Sequence, residues 1–152
     1  MGKYFLDTCS LLNLGKKVLD FESTFILSDV TIKELEFIKV SGNKDETTKF
    51  KARQVLHMLI ENPDVFETLI CESDILFVME DLDLEDTNDN RIICSAMYFN
   101  EAIEPITFVT DDLCCYEIAK QIADINVCMS RDICNEVKEE VYTGYKTVSL
   151  EY

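Results

Sequence analysis

The chain has 152 residues, enough for one domain, and 47% of them are hydrophobic, so a packed core is within reach. Thirty acids against 14 Lys and Arg give a formal net charge of −16, which keeps the chain dispersed in water and repels nucleic acid at long range. No apolar run approaches the roughly 20 residues of a membrane span, and the opening MGKYFLDTCS is too short in apolar residues for a signal peptide, so a protein without membrane contact is expected.

In chain order, KYFLD (3–7) reads as a buried strand ending in an acid. TCSLLNLGKKVLDF starts helically, with Gly15 as a stop. TFILS (24–28) is a second strand and DVTIKELEFIKV (29–40) a helix, followed by a polar loop, SGNKDETT (41–48). From Thr48 to Asn62 the apolar residues Ala52, Val55, Leu56, Leu59 and Ile60 repeat as one buried helical face. DILFVME (74–80) is read as the third strand, DNRIICSAMYF (89–99) as a helix, and ITFVT (106–110) as the fourth strand, rich in β-branched residues. DLCCYEIAKQIA (112–123) is a helix burying Cys115, Ile118, Ala119 and Ile122. INVCMS (125–130) is the fifth strand, and TGYKTVSLEY (143–152) an extended tail after a domain spanning 1–142.

Strands alternating with helices predict a three-layer α/β/α sandwich around a central, mainly parallel sheet of about five strands. Right-handed crossovers carry every strand end to the same edge, and ligands bind at that carboxyl edge.

Charge is distributed unevenly. Residues 61–90 hold eleven acids and no Lys or Arg, whereas residues 33–53 hold Lys33, Lys39, Lys44, Lys49, Lys51 and Arg53. Lys49, Arg53 and His57 are spaced by four and form one polar stripe of the third helix; a solvated face explains the stripe as well as a binding face does. The seven cysteines contain no C-x-x-C pair, so neither a zinc site nor a thioredoxin motif is expected. Most lie in apolar runs and read as reduced cytoplasmic thiols.

Carboxylates gather at the junctions between strands and helices. Asp7 closes the first strand, Glu34 lies in the helix after the second, Asp89 opens the helix after the acidic stretch, and Asp111 and Asp112 follow the fourth strand. Each has a capping explanation. Thr31 and Glu34 match a capping box, Asp86 and Asp89 share its spacing, and Asp7, Asp111 and Asp112 can each cap the helix that follows. Together they pose a different problem, because two such charges about 4 Å apart repel by roughly 4 kcal/mol at an effective dielectric near 20. A hard divalent cation removes that repulsion, and carboxylates with water suit Mg²⁺ or Mn²⁺ rather than zinc. Such a site supports phosphodiester hydrolysis.

These segments resemble the PIN domain, a nuclease fold, and in particular the N-terminal PIN module of PhoH-like proteins. KYFLDTCSLL (3–12) resembles the family's opening strand and acid. VTIKELEFIK (30–39) is similar to its second acidic segment, NDNRIICSA (88–96) to its third and FVTDDLCC (108–115) to its fourth. VYTGYKTVSL (141–150) resembles the stretch that follows the PIN core in PhoH-like chains. The resemblance implies an acidic quartet of Asp7, Glu34, Asp89 and Asp112 that binds Mg²⁺ or Mn²⁺, with Asp112 preferred over Asp111 because the family's acid lies two residues after the Thr. It makes Thr8 and Thr110 supporting hydroxyls, and it implies hydrolysis of single-stranded RNA by a metal-activated water without a covalent enzyme intermediate. Lys44, Lys49, Lys51, Arg53 and His57 would then guide RNA phosphates. Cys9 stands where the family usually carries Asn. PhoH-like proteins continue into an ATPase domain, and no G-x-x-x-x-G-K-[ST] occurs here, so that domain would lie outside this chain. Two other readings are a PIN-like module without catalysis, serving homo-oligomerisation or partner binding, and a phosphate-handling α/β domain. The last is disfavoured because LDTC lacks the second acid of a D-x-D phosphatase.

Overall fold

The computed structural model describes residues 2–134. Five strands, β1 (Lys3–Leu6), β2 (Phe25–Ser28), β3 (Phe66–Leu69), β4 (Ile106–Val109) and β5 (Asn126–Cys128), form one sheet in the order β3-β2-β1-β4-β5. Every neighbouring pair is parallel, so the sheet is wholly rather than mainly parallel. The register sets Leu6 beside both Leu27 and Val109 at its centre. Strand order reverses between β1 and β4, which is where an open parallel sheet leaves a crevice at its carboxyl edge.

Alternation along the strands divides the core. Leu6, Phe25, Leu27 and Val109 pack with α1 (Thr8–Leu14) and α3 (Glu46–Glu61) on one face, with Leu35 of α2 (Asp29–Val40) beside them. Phe5, Ile26 and Phe108 point the other way, against α5 (Asn88–Ala102) and α6 (Leu113–Gln121). Both faces are therefore covered, and β1, β2 and β4 read as near-continuous apolar runs because neither side meets water. Between β3 and α5, α4 (Ser73–Asp81) buries Ile75 and Met79 against Cys94. A 3₁₀ segment, Gly15–Asp20, follows α1; Gly15 has φ 54°, a left-handed geometry that costs glycine little and ends the helix where its sequence position suggests.

The third strand differs from expectation. DILFVME forms α4, and the strand is the four-residue FETL of β3. A short apolar run cannot be assigned by period alone. Its buried residues Ile75 and Met79 are one helical turn apart, which is the spacing of a helix face. The true strand was concealed because it lies at the sheet edge and is only half-buried, with Glu67 paired to Lys3 at 2.6 Å and Phe66 stacked on Phe25.

Smaller corrections follow the same logic. The loop after α2 ends at Asp45, which caps α3 through Thr48 N–H at 2.7 Å, so α3 begins at Glu46. On α3 Met58 is buried, while Ile60 is 76% exposed. On α6 Cys115 and Ala119 are buried, but Ile122 is 44% exposed. Residues 135–142 and the expected tail 143–152, with most of VYTGYKTVSL, lie outside the described residues. No helix among the described residues is long and apolar enough to cross a membrane.

Candidate active site

The crevice between β1 and β4 is an open cleft of about 260 Å³ lined by Asp7, Glu34, Asp89 and Asp112, with Lys44 and Lys51 at its rim. Each acid arrives by a different backbone route. The strands end together because Asp7 N–H donates to Val109 C=O at 3.1 Å. Asp7 then caps α1, accepting from Ser10 N–H at 2.8 Å, and Asp112 caps α6, accepting from Cys115 N–H at 3.0 Å. Capping and facing the cleft are thus one geometry for these two acids: one carboxylate oxygen meets the helix, which leaves the other for the cleft.

Asp89 and Glu34 are placed differently. The cap of α5 is Thr87, whose hydroxyl accepts from Asn90 N–H at 3.1 Å; Asp89 occupies the first turn without capping it. Asp86 is no cap either. It forms a two-point ion pair with Arg91, at 2.6 and 2.9 Å. The capping box at Thr31 and Glu34 is absent, because α2 begins earlier, at Asp29, with Ser28 as its cap. Glu34 therefore lies in the second turn, where its side chain reaches the cleft.

Hydroxyls tie the acids in place. The Thr8 hydroxyl donates to Glu34 Oε1 and also meets the buried Thr31 hydroxyl at 3.2 Å. Thr110, fully buried, hydrogen-bonds the Asp7 carboxylate and accepts from Asp112 N–H at 3.1 Å, so one hydroxyl positions two acids. Neighbouring Asp111 turns away from the cleft. It accepts from Ser130 N–H at 2.8 Å, Ser130 Oγ at 2.6 Å and Asn13 Nδ2 at 2.6 Å. Burial pushes its carboxyl up, but the hydrogen bonds from Ser130 and Asn13 outweigh that and hold it below the usual carboxylate range.

The electrostatics of the cleft are strained without a counter-ion. Burial lifts the Asp7 carboxyl from 3.8 to about 6, against the hydrogen bonds of Thr110 and Ser10. Partial burial of its sulfur, then the charges of Asp7, Asp111, Asp112 and Asp89, raise the Cys9 thiol to about 11. Cys9 lines the cleft but stays a thiol at neutral pH, which disfavours it as a nucleophile.

One contributor escaped the sequence reading. Cys115, 4% exposed, brings its sulfur and the carboxylate oxygens of Asp89 and Asp112 within 4.8 Å of one another. Burial and these two carboxylates push the thiol well up, and it hydrogen-bonds Asp89. Only its place in the first turn of α6 hinted at this, since an apolar helix face accounts for a buried cysteine equally well. A donor set of carboxylate oxygens over one protonated thiol suits a hard divalent cation, and the raised Asp7 carboxyl is the charge such a cation would relieve.

The basic residues separate into two groups. Lys44 and Lys51 line the cleft. Lys49, Arg53 and His57 do not; Lys49 pairs with Glu46 at 3.4 Å and His57 with Glu61 at 2.8 Å. On α3 the Lys49 stripe lies on a different side from the Thr48 and Lys51 positions that meet the cleft.

Comparison with known proteins agrees with this architecture. A sequence profile described as PIN domain matches residues 4–126. Among the solved structures, a chain of VapBC2 from Rickettsia felis, bound to a DNA fragment from their promoter, superposes with a TM-score of 0.56 at 16% identity. The match covers 83% of this chain and 97% of that one. No curated protein sequence matches significantly.

Proposed function

The chain belongs to the PIN domain family, whose members are generally metal-dependent nucleases, and on that premise we propose that it is an endoribonuclease hydrolysing single-stranded RNA with Mg²⁺ or Mn²⁺. The observation that carries this is the meeting of Asp7, Glu34, Asp89 and Asp112 around one cleft at the point where strand order reverses.

Asp7, Glu34, Asp89 and Asp112 are the residues that would hold the cation. When bound, Mg²⁺ or Mn²⁺ supplies Lewis acidity toward a phosphate oxygen and lowers the pKa of a water. The chain's own groups do the rest. Thr8 and Thr110 fix the carboxylates of Glu34 and Asp7, so no side-chain search precedes reaction. Lys44 and Lys51 offset the acids' repulsion of a phosphodiester at the cleft rim. Asp89 accepts from Cys115, which limits the rotamers it samples. Cys9 stays protonated, consistent with a reaction that forms no covalent link to the protein.

A PhoH-like arrangement, with an ATPase domain beyond this chain, belongs to the same reading and rests on the VYTGYKTVSL stretch. The free thiols suit a cytoplasmic location. A second reading, a module that binds partners or a second copy without catalysis, draws on Phe37 and Val40 of α2, which are 66% and 72% exposed.

The test is cleavage of labelled single-stranded RNA with and without Mn²⁺, beside Asp7→Asn and Asp89→Asn. Mn²⁺-dependent cleavage lost in both variants supports the nuclease reading. Equal cleavage by both variants exposes a contaminant and removes the site assignment. No cleavage with any divalent metal favours the partner-binding module.

A further inference from the structure

Beside the acidic cleft lies a smaller hollow of about 60 Å³ between α1 and α3. Leu12 and Lys51 line both, so the two are continuous. The second hollow adds Lys16 and Gln54 at its rim, over Val55 and Met58. Its entrance is open at Gly15, where a Cβ would meet nothing within 4 Å, and the turn at Gly15 presents Lys16 directly after α1.

The ion pairs explain why these lysines matter. In a chain with twice as many acids as bases, cations are usually neutralised by a neighbour. Lys3 holds Glu67 and Glu104, Lys33 holds Asp29, Lys39 holds Glu36, Lys49 holds Glu46 and Arg91 holds Asp86. Among the described residues, Lys16, Lys44 and Lys51 have no ion pair, and these are the lysines that line the two hollows. Three uncompensated ammonium groups along a concave path that starts at the acids are complementary to a chain of phosphates.

Resting on the nuclease reading, we propose that the RNA strand leaves the acidic cleft over Lys51 and runs along the groove between α1 and α3. Lys16 and Gln54 are then contacts to nucleotides flanking the scissile phosphate. Leu12, Val55 and Met58 give the sugars and bases an apolar floor. Lys16 takes a phosphate as a point charge and adds affinity without sequence preference. Gln54, whose amide both donates and accepts, is the group in the groove able to distinguish one base edge from another.

The test measures binding of labelled single-stranded RNA, a dinucleotide and a decanucleotide, in an Asp89→Asn background that keeps the RNA intact. Lys16→Ala should weaken decanucleotide binding about tenfold and reduce the salt slope by about one, leave the dinucleotide unchanged, and be exceeded by Lys16→Glu. Lys120→Ala, on the remote helix α6, should change neither. With Asp89 restored, Lys16→Ala should raise KM and leave kcat unaltered, and Gln54→Ala should flatten any base preference beside the cut. If Lys51→Ala weakens binding but Lys16→Ala and Lys16→Glu do not, the strand leaves by another route; this inference is then overturned while the nuclease reading stands. If the unsubstituted protein neither binds nor cleaves RNA, the nuclease reading itself fails, and the groove assignment with it.

Discussion

The Thr8 hydroxyl donates to the Glu34 carboxylate across 26 residues of sequence, joining the start of α1 to the second turn of α2. Without that bond Glu34 would be a half-exposed helix residue free to turn to water. With it, the carboxylate is held toward Asp7, the residue before Thr8. Thr8→Val keeps the shape and removes the donor. Mn²⁺ affinity should fall by about tenfold or more, as is usual when a supporting hydrogen bond to a metal ligand is lost, read by calorimetric titration. Melting of the metal-free protein should drop only slightly, since the change removes roughly one net hydrogen bond, about 1 kcal/mol.

Proton and cation compete at Asp7. Its carboxyl, lifted to about 6 by burial, is mostly protonated at pH 5 and mostly ionised at pH 7. Apparent Mn²⁺ affinity should therefore climb with pH through about 6 and then level off, whether followed by titration or by the metal dependence of cleavage. A profile that is flat from pH 5 to 7 would mean that Asp7 does not contribute to the site.

The same burial predicts that Asp7→Asn stabilises the metal-free fold. A carboxyl whose folded value lies above its unfolded value binds its proton more tightly when folded. Stability thus falls as pH rises from about 4 to about 6, and the full penalty, about 3 kcal/mol, persists above that. Asparagine carries no charge and should raise the melting temperature by several degrees at pH 7.5, with little difference from the unsubstituted protein at pH 4. Cleavage should vanish in the same variant, separating folding from function.

Asp111 and Asp112 are adjacent but should respond in opposite ways. Asp112→Asn should abolish cleavage and leave melting nearly unchanged, since the remaining amide oxygen can still cap α6. Asp111→Asn should lower stability by about 1–3 kcal/mol, because it weakens the hydrogen bonds from Ser130 and Asn13, while cleavage per folded molecule persists. Thermal melts read beside single-turnover cleavage distinguish the two.

Cys115 adds a soft donor under a hard site. Zn²⁺, which accepts sulfur more readily than Mg²⁺ or Mn²⁺ does, should displace Mn²⁺ and inhibit cleavage. Cys115→Ser keeps a donor to Asp89 but removes the sulfur, so Mn²⁺-dependent cleavage should survive while Zn²⁺ inhibition weakens by about tenfold or more. Equal Zn²⁺ inhibition in both proteins would show that the sulfur takes no part.

Legibility in the sequence followed how local each signal was. Acids at strand-to-helix junctions were visible because a short apolar run ending in Asp marks both a strand end and a helix start. The strand hidden in FETL was not, since an edge strand that exposes Glu67 carries neither a continuous apolar run nor clear alternation. The capping box at Thr31 was misleading for a related reason: the motif was present, but Ser28 had already started the helix.

By itself, the sequence determined the alternating α/β architecture and the candidate acids, because burial on both faces writes apolar runs into the central strands and junctions select carboxylates. Only the tertiary structure decided the rest. It separated Asp112 from Asp111 through Ser130 and Asn13, brought the Cys115 sulfur beneath Asp89, and divided the lysines into paired ones and those lining the groove. These are contacts between residues up to about a hundred positions apart, set by the order in which parallel strands lie side by side and not by any property of the segments that carry them.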